Sequence, residues 1–593
     1  MRCARSGPYP LPSRRSVFEA LPTEALPTVA WPTEAWTTEA WTTMAKAALT
    51  GVLLLASSVG GALAGPPIHG NPDALKGGLR RDVYKVQPHN LHPLNATDYY
   101  GNRVLDLIYE SLATPDVETL DHIPVLAERW EISPDKRVFT FHLNPAATWQ
   151  DGRPVTAEDV KFSFDVLFHK KLKTRAKWLA YYSNFEKAEV QDARTVRFTV
   201  RQDHFLNFVN IAGMRIVPKH KFKGKNPNRT SLSKKPLGSG PYRFDAWVKG
   251  SFVKLRRFED YWGQELPQNL GRYNQKLLIT KIISTDKVAI EAFKKGSLDV
   301  IQLTPEQWVR ETNDGRFGFG AESGKPLIKL DVQNQAPRSY RYVGYNLESP
   351  LFRDKRVRWA MSRLFDRDTF IEKFYHGMYV KSVGPFQVNS PYRSPMVQPV
   401  EFSIPKAISL LREAGWRDTD GDAILDKDGR PFRFTIMTAD PETSVRMLTL
   451  AKEAMRKAGV DMNIKVIDWT SFLQLIDEYR FDAVMLGWTR SPFPDPTPPW
   501  HSKSAVKGGL NLVRYKNPEV DRLIEQAVKS IPQEARVKLY RRIHEILNED
   551  QPYTFMLESA HTLLAYHAKF KNLKPWYAYD IGLDYWWIDS RIR

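Results

Sequence analysis

Apolar residues along this chain recur with period two in some stretches and at three and four in others, and the switches between those periods mark its elements. Phe139, Phe141 and Leu143 are separated by Thr140 and His142, the period of a strand with one buried face. Asp151-Gly152 then marks a turn, and Thr156 followed three residues later by Asp159 makes a capping-box arrangement. Val160, Ser163, Phe164, Leu167 and Phe168 follow at helical spacing, so strand, turn and capped helix are predicted in succession. Ala289, Ile290 and Phe293 lead to Gly296-Ser297-Leu298-Asp299-Val300, a helix ended by glycine and then a strand. A strand ending near Asn346 precedes a helix with the apolar stripe Val357, Ala360, Met361, Leu364 and Phe365. Two more helices are predicted over 518–531 and 534–550; Asn517-Pro518 supplies the first with a cap and a proline at its first position, and Pro552 follows the second. Strands alternating with helices throughout predict an α/β fold with more than one sheet.

One stretch of punctuation stands apart. In Pro236-Leu237-Gly238-Ser239-Gly240-Pro241-Tyr242 two glycines admit positive φ and Pro241 blocks a helix. Tyr242, Phe244 and Ala246 then share one face. Such a stretch can carry the chain from one domain to another.

Composition and the N-terminal region change the picture from fold to compartment. From Met44 the sequence reads MAKAALTGVLLLASSVGGALAGPP, with Lys46 as the charged start, an apolar run from Ala47 to Val59, and Ala62-Leu63-Ala64 as a small-x-small cleavage site before Gly65. This is the layout of a cleaved secretory signal. The run is shorter than the roughly 20 apolar residues needed to cross a bilayer. The single cysteine, Cys3, lies upstream of it, so the exported chain can form neither a disulfide nor a lipid-modified N-terminal cysteine. Residues 1–43 carry the five-residue repeat LPTEA, LPTVA, WPTEA, WTTEA, WTTMA, whose last copy ends at Ala45. A period of five fits neither helix nor strand; the segment reads as translated tandem-repeat DNA behind a mis-assigned start or, alternatively, as a disordered leader. The exported length predicts two or three domains. The net charge of +19 is spread along the chain without a helix-turn-helix, zinc-finger or RNP-type motif, which argues against nucleic acid. A basic solvated surface, an anionic membrane surface or an acidic ligand accounts for it.

Six blocks in order, WEISPDKRVFTFHL…DGRPVTAEDVKFSF, PLGSGPYRF, AFKKGSLDV, PLFRDKRVRWAMSRLFDRD, KAISLLREAGW and YKNPEVDRLIEQA…RVKLYRRIHEILNEDQP, resemble the extracellular solute-binding proteins of ABC importers, family 5, the oligopeptide/dipeptide/nickel-binding class. The resemblance covers about 70–590. GSGPYRFDAWVKGSFVKLRRFEDYWG and FPDPTPPWHS look most like the YejA-type branch, which is associated with peptides and peptide-derived antibiotics. The resemblance implies a large, cluster C-like periplasmic-binding-protein fold of type II: two lobes, an extra inserted domain and a two-strand hinge. By that mapping domain I takes 65–106, 228–335 and 555–593, domain II 107–227 and lobe III 336–554. It further implies a periplasmic receptor, monomeric and without cofactor, that encloses a peptide-like ligand and delivers it to an inner-membrane ABC permease.

The same resemblance singles out site candidates. Phe481 to Trp488 reads as a buried strand ending at Gly487-Trp488, where family members place a pocket tryptophan; the alternative is that Trp488 is core. In peptide-binding relatives an aspartate three residues later pairs with the ligand's ammonium group, and here that position is Ser491. Asp495 then takes over the role, or the ligand presents no free amine, or the proline-rich loop is only stiff; Arg490 adds positive charge. Trp178, Trp469 and Tyr345 are further aromatic candidates, each weighed against a place in the core. Asp418, Asp420, Asp422 and Asp426 alternate as calcium ligands would, yet glycine is at the fourth rather than the sixth position and no glutamate closes the loop, so the segment reads as a turn without metal. No G-x-S-x-G, no H-E-x-x-H and no cysteine nucleophile point to catalysis. The alternatives are an oligosaccharide or amphiphile receptor and, from another class, a periplasmic chaperone.

Overall fold

The computed structural model describes residues 65–593 apart from 230, 313–326, 441, 531–532, 572–573 and 590–593. The repeat segment and the signal at 44–64 lie outside the described residues. From Pro66 onward the chain forms one compact unit, and no helix among the described residues is long and apolar enough to cross a membrane.

The chain opens with strand β1 (Leu79–Tyr84) and helix α1 (Tyr99–Leu105). It then builds an antiparallel sheet from β2 (Ala127–Ile132), β3 (Val138–Leu143), β4 (Phe185–Val190) and β5 (Thr195–Val200), in the order β2-β3-β5-β4. The alternation read in β3 is real, with Phe139, Phe141 and Leu143 buried. Helix α2 (Ala157–Leu167) follows, and its capping box is formed: the Asp159 amide donates to Thr156 Oγ1 at 3.4 Å and the Thr156 amide to Asp159 Oδ2 at 3.0 Å. Helix α3 (Arg175–Tyr182) completes this part.

Strands β6 (Tyr242–Val248), β7 (Phe252–Arg257) and β8 (Leu277–Ile282) return to β1, giving the order β1-β8-β7-β6 with β1 parallel to β8. The glycines before β6 serve a different purpose from the one the sequence suggests. Neither Gly238 nor Gly240 has positive φ. A Cβ on Gly238 would instead fall 1.8 Å from the Ile108 carbonyl oxygen, and the Gly240 amide donates to that oxygen at 2.9 Å. Close approach of two backbones, not turn geometry, requires the glycine here.

Helix α4 (Asp286–Lys294) ends at Gly296, whose φ is +71°, and leads into β9 (Val300–Gln302) and β10 (Leu327–Val332). The chain next leaves this region for a six-stranded sheet: β11 (Tyr340–Tyr345), β12 (Tyr379–Lys381), β13 (Arg433–Thr438), β14 (Asp461–Val466), β15 (Ala483–Trp488) and β16 (Tyr553–Ser559), ordered β12-β16-β11-β15-β13-β14. Helices α5 (Lys355–Arg363), α6 (Thr443–Lys457), α7 (Trp469–Asp477), α8 (Pro518–Lys529) and α9 (Gln533–Asp550) pack on it. Asn517 caps α8 by accepting from the Glu519 and Val520 amides, with Pro518 first in the helix.

Strand β17 (Thr562–His567) then inserts between β9 and β10. Because β10 pairs with β17 and β11 with β16, the chain passes between the three- and six-stranded sheets at two adjacent places, 333–339 and 560–561. They are tied together by His561 Nδ1 and Asp331 Oδ2 at 2.9 Å and by Arg338, which bonds Thr562 and, at 2.9 Å, the Val332 carbonyl.

Candidate functional site

A cavity of about 1240 Å³ lies where these parts meet. One wall comes from β1, α1, the segment 283–311 and residues 580–584; the facing wall comes from the six-stranded sheet and its helices through Arg341, Tyr375, Tyr379, Glu442 and Arg446. The two walls touch at Arg446 and Glu306, 3.6 Å apart. Away from the cavity the interface continues: Lys177 meets Asp477 at 3.4 Å, the Phe205 amide donates to the Val528 carbonyl at 3.0 Å, and His122 stacks on Phe493.

Most charges around the cavity are paired. Arg80 meets Asp82 at 3.2 Å, Lys85 meets Asp286 at 2.7 Å and Arg215 meets Asp106 at 2.6 Å. Arg341 holds Asp440 at 3.1 Å and Ser444 at 2.9 Å. Burial opposes ionisation of Asp440, but the Arg341 guanidinium, together with Lys85 and the Glu442 amide, keeps the carboxyl below its ordinary range. Glu110 behaves in the opposite way. Burial pushes its pKa up to about 7, only partly countered by hydrogen bonds from the Tyr261 hydroxyl at 2.5 Å and the Trp262 indole at 3.0 Å.

None of the eight residues singled out in the sequence lines this cavity. Tyr345 is fully buried, its hydroxyl 2.8 Å from Thr554 Oγ1 and its ring against Phe352; it belongs to the core, because β11 is the central strand of its sheet. Arg490 is also spoken for. Its guanidinium meets Glu558 at 2.6 Å, reaches the carbonyls of Pro385, Arg338 and Phe386, and lies over the Tyr340 ring. That arrangement supports the loop after β15 and leaves no free charge for a ligand. Trp488 is half-buried, stacked parallel to Tyr342 with its indole donating to the Tyr553 hydroxyl at 3.3 Å. Gly487 faces the other side and is exposed, paired in register with Arg341.

Ser491 is exposed and accepts from the Phe493 amide; Asp495 is half-buried and accepts from the Thr497 amide at 2.8 Å. Trp178 donates to the Leu94 carbonyl at 2.9 Å, and Trp469, first residue of α7, stacks on Phe472. Trp178 and Trp469 sit on elements that meet across the interface, through Lys177 and Asp477. Asp418, Asp420 and Asp426 bring carboxylate oxygens within 4.8 Å of one another, yet Asp418 and Asp426 are engaged by the amides of Gly421, Ala423 and Thr419, while Asp422 accepts from the Ile424 amide and faces Arg433. The cavity's own residues, Arg103 and Arg341 among them, carry no local signature; only the fold brings 80–110, 283–311, 341–446 and 580–584 together.

Two lobes joined by a double crossing, with mixed sheets and a cavity where they meet, define a periplasmic-binding-protein fold of type II. The solved structure of the oligopeptide-binding protein AppA from Bacillus subtilis, in complex with a nonapeptide, superposes with a TM-score of 0.78 at 26% identity, over 87% of this chain and 100% of that one. NikZ from Campylobacter jejuni in complex with Ni(L-His), at 23% identity, shares the fold with a TM-score of 0.71 over 87% of this chain and 98% of its own. The chain belongs to the bacterial extracellular solute-binding proteins, family 5, whose model for the middle region matches residues 121–509. By sequence it is 29% identical to AppA over 485 residues, 79% of this chain and 84% of that protein. It is 27% identical to the "Probable peptide-binding protein YejA" of Agrobacterium fabrum over 572 residues, 87% and 90% of the two chains.

Proposed function

We propose that this chain is a periplasmic receptor that captures a peptide or peptide-like ligand by closure of its lobes and delivers it to an inner-membrane ABC importer. The observation that carries the reading is the 1240 Å³ cavity walled from both sides by parts of the chain that connect only at two adjacent crossings. Such a connection permits hinge motion about few residues, and the volume exceeds the roughly 300–1,000 Å³ of a drug-sized pocket. AppA, with a nonapeptide in its solved structure, and the Agrobacterium YejA, named as peptide-binding, support a peptide as the cargo. The relatives named here are binding proteins, which supports a receptor over an enzyme.

Within this reading the working chain begins at Gly65 after removal of the signal starting at Met44, carries no lipid anchor and acts as a monomer. The proposed division is domain I from 65–106, 228–335 and 555–593, domain II from 107–227 and lobe III from 336–554; the sheets support it except at its last boundary, where β16 runs to Ser559 in the six-stranded sheet and favours the crossing at 560–561 over 554. Peptides are expected to raise the melting temperature saturably, because a ligand that binds only the folded state stabilises it in proportion to the logarithm of its concentration over Kd. Thermal unfolding against a peptide library checks this. A chaperone would instead hold unfolded proteins and show no saturable shift with a small ligand, and a shift produced by oligosaccharides alone would displace the peptide.

A further inference from the structure

Among the cavity's paired charges Arg103 stands out. It sits in the last turn of α1, lines the cavity, and is open to the solvent within it. Among the described residues no carboxylate or carbonyl accepts a hydrogen bond from its guanidinium, whereas Arg80, Arg215 and Arg341 each have one within 3.2 Å. Tyr99 lies one turn before Arg103 on α1, Tyr84 lines the same cavity, and both phenols act on the guanidinium, as do Asp584 and Asp580, which attract it without bonding to it. Asp584 is engaged at 3.6 Å by Arg272, and Asp580 accepts from the Gly582 amide at 2.6 Å. The hydroxyls of Tyr84, Tyr99 and Tyr100 also have no hydrogen-bond partner among the described residues, although the three rings pack together with centroids 5.1 and 5.5 Å apart. Tyr99 is more than half exposed.

The result is a guanidinium and three phenol hydroxyls that face the cavity with no hydrogen-bond partner of their own among the described residues. A guanidinium presents five N–H groups in a planar fork and a phenol adds one O–H each, and because these groups are open to solvent within the cavity, a ligand can take them by displacing water. A carboxylate matches this set best, since its two oxygens take the fork in a bidentate pair. We infer that Arg103, with the hydroxyls of Tyr84 and Tyr99, is the subsite that receives a carboxylate of the bound ligand. This rests on the receptor reading above and deepens it: the cargo is an acidic peptide, or a peptide held by its free C-terminus. The low dielectric of the closed cavity strengthens such a bond, and the C-terminal end of α1 helps keep the arginine charged.

Calorimetry on the full exported chain tests it with peptides of one sequence as free acid and as C-terminal amide, and with amidated peptides carrying glutamate or glutamine inside. The intact protein is expected to prefer the carboxylate-bearing member of one pair by roughly ten- to a hundredfold, the range of a hydrogen bond to a charged group. Arg103→Gln erases that preference while leaving the neutral member's affinity within about threefold. Tyr99→Phe reduces the preference by a smaller factor, and unliganded melting of both variants confirms that they fold. A preference in the acid/amide pair assigns the C-terminus, and one in the glutamate/glutamine pair assigns a side chain. Equal affinities within both pairs, or a preference that survives Arg103→Gln, overturns the subsite but leaves the receptor standing. Absence of binding by every peptide removes the receptor reading and the subsite with it.

Discussion

Glu110 and Arg490 are both buried charges, and the structure treats them in opposite ways. Arg490 is met by the Glu558 carboxylate and by several carbonyls, so burial strengthens each bond. Glu110 receives two donors but, among the described residues, no cation within bonding distance, and burial raises its pKa from 4.5 to about 7. The sign follows from linkage. Between those two values the folded state holds a proton that the unfolded state has released, so this residue's contribution is fully present below about pH 4.5 and is lost as pH rises through about 7. Glu110→Gln, which mimics the protonated acid, is expected to unfold with wild-type stability at pH 4. At pH 8 it should be more stable, by up to about 3 kcal/mol. Denaturant unfolding at the two values checks this; a variant equally stable or weaker at pH 8 would show that Glu110 is held ionised. Neither behaviour was legible in the sequence. Glu558 lies 68 positions from Arg490 and Tyr261 lies 151 from Glu110, so no local pattern announces these partners. For Tyr345, weighed between pocket and core, the choice is likewise not local: its position near the chain crossing is legible, but its burial is set by strands that arrive more than a hundred residues later.

At the scale of the element the sequence was far more informative, because caps and periods are local. The capping box at Thr156 and Asp159, the Asn517-Pro518 start of α8 and the glycine after α4 are all formed as read. Helices expected over 518–531 and 534–550 are found at Pro518–Lys529 and Gln533–Asp550. Strand β6 is less regular than its alternation implies, since the register with β7 shifts between Phe244 and Ala246. The glycines before it were located correctly and explained wrongly: close approach to Ile108 is a tertiary fact. Two glycine-to-alanine changes separate the two kinds of need. Gly152→Ala meets nothing within 4 Å but keeps a φ of +84°, so it should cost roughly 1–2 kcal/mol. Gly238→Ala drives a methyl into the Ile108 carbonyl and should cost more, at least about 3 kcal/mol or a failure to fold. Equal unfolding midpoints for Gly238→Ala and wild type would remove the close-packing account.

For the whole molecule, function follows from connectivity. Residues 340–559 build a sheet that hangs from the rest of the chain by two short, side-by-side segments, and Asp331, Arg338, His561 and Thr562 tie those segments together. Around this joint the two bodies meet through single contacts, such as Lys177 with Asp477 and Arg446 with Glu306. Exposed ion pairs of that kind are each worth less than about 1 kcal/mol, so enclosed ligand, and not the rim, is expected to decide how firmly the lobes stay together. The family blocks made this architecture legible in outline, whereas the cavity wall was not, because it is assembled from four distant stretches. The most direct measurement is mass spectrometry of the small molecules released when the purified, unexposed protein is denatured. The account predicts peptides in near-stoichiometric amount that bind again in calorimetry; sugars or amphiphiles without peptides would contradict it.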